Sequence, residues 1–427
     1  MQDFDAIQNI RLYGGYGEVG NQAIPNFAYG VRLNTINTGL GTGFEFANFE
    51  NPGLTWESST QTNIGLDFSL FNQRLNTTVE VYNKVSRDFL YQLAVTDFIT
   101  GGNSPGAITA PWVNLGEMVN RGLDLTIAYS TAPEAALQWN STLTFSHYKN
   151  EVNELLGDLT INGDISLNDS NQNITLTRVG DPVGMFYGYQ VEGLFRTTED
   201  FEGAAVQFGR PFEDALFGTT WLGDIKYKDI NNDGVIDNDD RTVIGNPHPD
   251  FTFGFQNSLS YNNFDLSVFL QGSYGNDIFN AVDRTLTAAN LYYVNQSPSV
   301  LDYWSIDNPD ASAPRLARND TPNINISDRY IEDGSYLRVQ NITLGYNLSS
   351  NFAEKIGLNN LKIYGSVQNL YTFTNYSGYD PEVGAYNQNA LLQGLDNGRY
   401  PSPRTYTLGL NVELIETDPT TSRENAQ

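Results

Sequence analysis

An all-β fold, an antiparallel wall of about ten strands that cross a membrane, is what this sequence predicts, on three observations. The first is alternation. Runs with apolar residues at every second position recur along the whole chain, and helical spacing is scarce. The second is the connections, which are short and long in strict turn, as in outer-membrane barrels with short periplasmic turns and long external loops. The third is a load of 25 Tyr and 24 Phe in 427 residues, many at strand ends, without an apolar run long enough for a membrane helix.

In chain order, Ile10–Tyr16 reads as a short strand, followed by a Gly, Asn and Pro-rich stretch to about Gly53. In Thr60–Leu70, Ile64, Leu66, Phe68 and Leu70 alternate with Gly65, Asp67 and Ser69. Asn72-Gln73-Arg74 turns the chain into Leu75–Tyr82, which completes a hairpin. After a loop over about Gln92–Glu117 come Gly122–Ser130, a turn at Pro133-Glu134, and Leu137–Tyr148. The long segment Lys149–Pro249 follows. Phe251–Tyr261 and Phe264–Tyr274 flank Asn262-Asn263, a two-residue hairpin signal. A polar loop over about Gly275–Ser335 leads to Tyr336–Leu348 and Leu361–Phe373, with a helical turn expected at Asn351–Ile356. Arg404–Leu414 alternates most cleanly, and a polar tail covers 415–427.

Counting strands decides one segment. Met185–Phe195 looks like a strand, yet as a spanning one it would put the next short turn on the wrong side. It is therefore assigned to the external loop, leaving five spanning strands before residues 149–250 and five after. Strands of about nine to eleven residues fit a tilted crossing of the bilayer. Leu66, Phe68, Val79, Leu125, Ile127, Leu266, Val268, Leu408 and Leu410 are expected to face lipid. Asp67, Glu80, Asp124, Asp265, Asn411 and Glu413 are expected on the opposite face, toward the lumen or an interface.

A formal net charge of −27 excludes nucleic acid as a partner, because phosphates would be repelled. With no Cys there is neither a disulfide framework nor thiol chemistry. Met1-Gln2-Asp3-Phe4-Asp5 does not read as a signal peptide, so the expectation is a cytosolic protein or an N-terminus lying further upstream. The chain is not expected to be an enzyme. It carries no nucleophile elbow, phosphate loop or zinc motif, and no glycosidase carboxylate pair stands out. His147 and His248 lack a second His or Cys at ligand spacing and read as ordinary polar positions.

The one motif with chemistry lies inside the long external loop, at 229–240. Asp229, Asn231, Asp233 and Asp237 offer side-chain oxygens, Val235 a carbonyl, and Asp240 the closing twelfth position, with Gly234 at the sharp turn. A hard cation takes six to eight oxygens, so this spacing predicts a structural Ca²⁺ that orders the loop. Two features depart from the helix–loop–helix pattern: the twelfth residue is Asp, shorter than Glu, and the flanks read as strand and loop. A solvated acidic turn is the alternative. Trp112, Tyr187 and Trp221 lie in external segments, where an aromatic ring can stack on a sugar or pack the loop.

Motifs spread over nearly the whole chain resemble the C-terminal half of SusC/RagA-like TonB-dependent transporters of Bacteroidetes outer membranes. They include Tyr16-Gly17-Glu18-Val19-Gly20-Asn21-Gln22, Asn51-Pro52-Gly53-Leu54-Thr55-Trp56-Glu57 and Asn114-Leu115-Gly116-Glu117-Met118. Gly184-Met185-Phe186-Tyr187-Gly188-Tyr189, Gly223-Asp224-Ile225-Lys226-Tyr227 and Gly245-Asn246-Pro247-His248-Pro249 follow in the same order. Asn341-Ile342-Thr343-Leu344-Gly345-Tyr346, Gln368-Asn369-Leu370 and Pro403-Arg404-Thr405-Tyr406 complete the set. The resemblance implies residues 1–414 as the C-terminal part of a plugged barrel of about 22 strands, incomplete by itself. It also implies an outer-membrane location and import of a glycan or peptide. The implied partners are a SusD-like lipoprotein, membrane lipid, and TonB, reached through an N-terminal portion outside this sequence. The alternatives are a secreted β-rich carbohydrate-binding or adhesin protein with a structural calcium, and a glycan-degrading enzyme with an attached calcium site.

Overall fold

The computed structural model describes residues 7–21, 24–93, 95–102, 104, 106–157, 159–167, 170–207, 220–288, 294–317 and 322–414. The expected tail 415–427 lies outside them. Ten long strands pair with their sequence neighbours in one antiparallel sheet. They are β1 (Ile7–Asn21), β2 (Glu57–Leu70), β3 (Leu75–Arg87), β4 (Gly116–Ser130) and β5 (Leu137–Leu155). After residues 156–250 come β6 (Phe251–Tyr261), β7 (Phe264–Tyr274), β8 (Tyr336–Asn347), β9 (Leu358–Thr374) and β10 (Thr405–Leu414). The five-plus-five count therefore holds, and Met185–Phe195 lies outside the wall, in two small sheets.

The short connections have clear local causes. At the β2–β3 turn Phe71, Asn72 and Gln73 all take positive φ (55°, 58° and 62°), which reverses the chain tightly. Asn262 does the same between β6 and β7. The expected helical turn is present as Ser350–Lys355.

Strands run from 10 residues in β10 to 19 in β5, and most exceed the nine to eleven that a bilayer crossing needs. In β3, β4 and β5 the excess lies at the external ends. β1 extends well past the expected Ile10–Tyr16. β5 continues through residues assigned from sequence to the loop, because Asn150, Val152 and Leu155 are buried there.

The long connections are not open loops. Ile161–Leu167, Ser170–Thr177, Met185–Gly188 and Thr242–Gly245 form a four-stranded sheet. Asp277–Asn280 pairs with Ile331–Asp333 on one side and Leu395–Asp396 on the other. Three connections meet in one core of Ile165, Leu167, Ile174, Phe186, Phe279, Ile326, Tyr330, Leu392 and Leu395. Antiparallel topology puts all of these connections at the same end of the wall. A packed external lobe thus stands on the wall.

Candidate functional site

The wall has two chemically distinct faces, and pairing register carries each across the sheet. Leu12 stands opposite Leu66, Leu66 opposite Val79, Val79 opposite Leu125 and Leu125 opposite Phe145. Beyond β5 the row continues through Phe253 and Gly272 to Leu337 and Phe373. Near the last edge Ile363 stands opposite Leu410, and Gly365 opposite Leu408. Side chains alternate along a strand, so every residue expected toward lipid falls on this one face. Of these Leu408 is 82% exposed and Leu410 64%, most of the others are half-buried, and Leu12 on the same face is 74% exposed.

The other face is polar and tied across strands. The Tyr13 hydroxyl donates to Glu80 at 2.9 Å, and Ser146 donates to Asp124 at 2.5 Å. Asp265 accepts from Lys362, Asn347 and Ser260 at 2.5–2.8 Å. Tyrosine rings repeatedly lie over a glycine of the next strand. A Cβ at Gly65, Gly122 or Gly409 would come within 2.1–2.4 Å of the ring of Tyr13, Tyr82 or Tyr364. Each glycine lets a large ring lie flat on the sheet, which fixes the register there.

Arginine at Leu408 should cost about 2–4 kcal/mol if that site is near the bilayer midplane, and much less at Thr407. Unfolding titrations of the receptor in lipid would measure the two; equal tolerance would overturn the assignment of faces.

In the external lobe, Asp224 is fully buried and holds two segments together. Arg315 grips its carboxylate with two hydrogen bonds, at 2.7 and 3.0 Å. Asn323 donates to it at 2.8 Å and the Trp221 backbone N–H at 2.7 Å. Burial pushes this carboxyl up, against the downward pull of Arg315. The preceding residue must be glycine. Gly223 has φ 84°, and a Cβ there would lie 2.4 Å from the Trp304 ring. Near the wall, Arg338 bonds Thr372, Asp380 and Glu382, drawing the last external connection onto the polar face.

Hydrogen bonds from its own backbone brace the acidic loop. Asp229 accepts from the N–H groups of Asn232 (2.6 Å) and Gly234 (2.9 Å). Asn231 accepts from Asp233 N–H, and Asp233 from Val235 N–H. Asp237 caps the turn at Asp239, and buried Asp240 accepts from Ile230 and Asp237 at 2.8 and 2.9 Å. Val235 opens the short strand Val235–Ile236, parallel to Val206–Gln207. Asn232 and Gly234 take the positive φ (59° and 85°) that the sharp turn needs. The donors are all hard oxygens, which suits a hard divalent cation. Among the described residues no three acidic or His side chains converge on one point. A bound ion would therefore have to share oxygens that already accept amide hydrogens, each of which keeps a free lone pair.

The three external aromatics stand on three different elements. Trp112 is in the short strand Trp112–Asn114, paired with Leu90–Gln92. Tyr187 lies in the four-stranded sheet, where Arg241 covers its ring at 4.6 Å and donates to its carbonyl. Trp221 is 39% exposed in the turn that holds Asp224. His248 lies between Tyr148 and the Val183 carbonyl. Burial pushes its imidazole down. Sequence reading missed the Asp224–Arg315–Asn323 cluster, although Gly223-Asp224 was part of a recognised motif.

A ten-stranded antiparallel wall with a bare apolar face, a bonded polar face and a one-sided lobe defines an outer-membrane β-barrel portion. Residues 3–274 match the family described as "TonB dependent receptor-like, beta-barrel", and the chain belongs to that family. It is 32% identical to TonB-dependent receptor P3 of Formosa agariphila, over 97% of this chain and 40% of that protein. It is 25% identical to TonB-dependent receptor SusC of Bacteroides thetaiotaomicron, over 97% and 38%. The RagAB peptide transporter structure superposes with TM-score 0.76 at 22% identity, covering 96% of this chain and 41% of that one. The chain thus spans about two fifths of the length of these curated relatives. Like the receptors of this family, it is a protein of the outer membrane.

Proposed function

We propose that this chain supplies ten strands and much of the external lobe of a SusC/RagA-like importer. In this role it binds and passes a nutrient, a glycan, oligosaccharide or peptide, and does no chemistry on it. TonB energises the import, and a SusD-like lipoprotein closes over the lobe. The observation that carries this is the separation of faces, held in register across all ten strands, in a chain of this receptor family. The relatives named as TonB-dependent receptors and the fold of the RagAB peptide transporter support the same reading. Deleting the coding region should abolish growth on one complex glycan or peptide source, and disabling TonB should copy the defect. Unchanged growth and uptake across such a panel would overturn the importer reading.

Within the lobe, a Ca²⁺-like ion held by Asp229, Asn231, Asp233, the Val235 carbonyl, Asp237 and Asp240 orders the acidic loop. Without it the clustered carboxylates repel one another, so metal binding and loop order are linked. Chelator should raise proteolysis around Asn231–Asp240, and added Ca²⁺ should reverse it. Equal protection with and without chelator would defeat the metal.

A further inference from the structure

Where the first long connection enters β2, three aromatic rings surround a cavity. Phe27, Tyr29 and Trp56 line it with Asn26, Leu54 and Thr55, and its volume is about 450 Å³. That lies within the usual range for small-molecule sites, roughly 300–1,000 Å³. The three rings are 70%, 54% and 69% exposed, so they form a bare aromatic patch and not a core. The backbone beneath them is fixed. Phe27 takes φ 61°, which bulky residues rarely adopt, and its carbonyl accepts from the Gly30 N–H at 3.0 Å. The Tyr29 carbonyl accepts from the Asn51 N–H at 3.0 Å. The Asn114 side chain clamps both backbone groups of Thr55, each at 2.9 Å. A site mounted this way has little backbone left to order when a ligand arrives.

Register shows which way the cavity faces. β1 and β2 pair without a slip from Asn9–Ser69 to Asn21–Glu57. Gly20 therefore shares the face of Leu12, and a Cβ on Gly20 would lie 3.7 Å from the Trp56 ring. Trp56 thus stands on the apolar side of the wall, continuous with the membrane face and away from the lumen. About ten strand residues cross the hydrocarbon; counted from the short turn at Phe71, these are residues 61–70 of β2. Trp56 is about five residues further out, or about 12 Å above the hydrocarbon at ~3.3 Å per residue and ~45° of tilt. At that height the outer leaflet of an outer membrane presents the sugars of its glycolipid. The lining suits a sugar better than a phosphate. No Asp, Glu, Lys or Arg is among its described residues, so a phosphate would find no cation there. Aromatic faces accept the C–H side of a pyranose ring. The side chains of Asn26 and Thr55 make no hydrogen bond among the described residues, which leaves both for ring hydroxyls.

We propose that this cavity stacks one uncharged core sugar of an outer-leaflet glycolipid whose acyl chains lie on the apolar face below. The inference rests on the membrane placement given above. Binding of two probes to the outer-membrane assembly containing this chain, purified in mild detergent, tests it. One probe is lipopolysaccharide with its core sugars, the other lipid A freed from it by mild acid. The wild type should hold the first about tenfold more tightly, and free core oligosaccharide should compete. Phe27→Ala with Trp56→Ala should abolish the difference while lipid A binding stays. Trp56→Phe, which keeps a ring, should retain most of it, and Phe264→Ala, at the other end of the same face, all of it. In whole cells, a photoreactive benzoylphenylalanine at position 27 should crosslink to glycolipid. Equal affinity of the wild type for the two probes, a preference that survives the double variant, or a protein adduct in place of the glycolipid would overturn the proposal while leaving the membrane placement standing. Recovery of the assembly without detergent would overturn both together.

Discussion

Asp224→Ala is expected to destabilise the external lobe by about 3–5 kcal/mol, the usual cost of breaking a buried ion pair from one side. The carboxylate is fully buried and is the shared acceptor of Arg315, Asn323 and the Trp221 amide. Removing it strands a guanidinium and a carboxamide, and leaves the turn at Gly223 tied to the segment around Arg315 by the Arg315 N–H to Gly223 carbonyl bond without its side-chain clamp. The wall should stand, because its strands are paired independently of this cluster. Hydrogen exchange would therefore quicken in 220–227 and 315–317 while β2–β4 keep their protection. Arg315→Ala should act on the same segments, and the double variant should cost less than the sum of the two, since they share one interaction. Unchanged exchange in both segments would remove Asp224 from this role.

The wall was legible in the sequence because its information is local. Alternation marks a strand within a few residues, as in Tyr406, Leu408, Leu410 and Val412, and loop parity fixes which runs span. The lobe was not legible, because its order comes from contacts between distant short pieces. Thr175 donates to the Leu391 carbonyl 216 residues away, and Phe279 pairs with Leu395 from another connection. Strands of two to four residues, such as Val206–Gln207 and Ile331–Asp333, carry no readable period. The same cause hid the external half of β5, whose Asn150 and Val152 look like loop residues until the lobe covers them. The acidic loop was found because its spacing is itself a local pattern. Asp224 was not singled out, because a lone buried Asp has no pattern until Arg315 and Asn323 are brought to it.

Residues 1–427 expressed alone should fail to give a heat-resistant barrel. Among the described residues, β1 pairs only with β2 and β10 only with β9, so the sheet has two unpaired outer edges. Each edge presents a row of backbone N–H and C=O groups that lipid cannot satisfy, at several kcal/mol per group in hydrocarbon. Ten strands can in principle close a barrel, since bacterial examples exist with smaller and larger even numbers. Against closure stands the likeness to relatives more than twice as long, in which these ten strands would be one stretch of a wider wall. In that setting β1 and β10 meet other strands and not each other. Refolding with Tyr13→Cys and Leu410→Cys, one on each edge strand, reads this directly. The expected result is aggregation, or an open species with no intramolecular disulfide, and recovery when the remaining barrel strands are supplied in cis or as a second chain. Efficient crosslinking in a heat-resistant monomer would show that the two edges pair, and that these ten strands close by themselves.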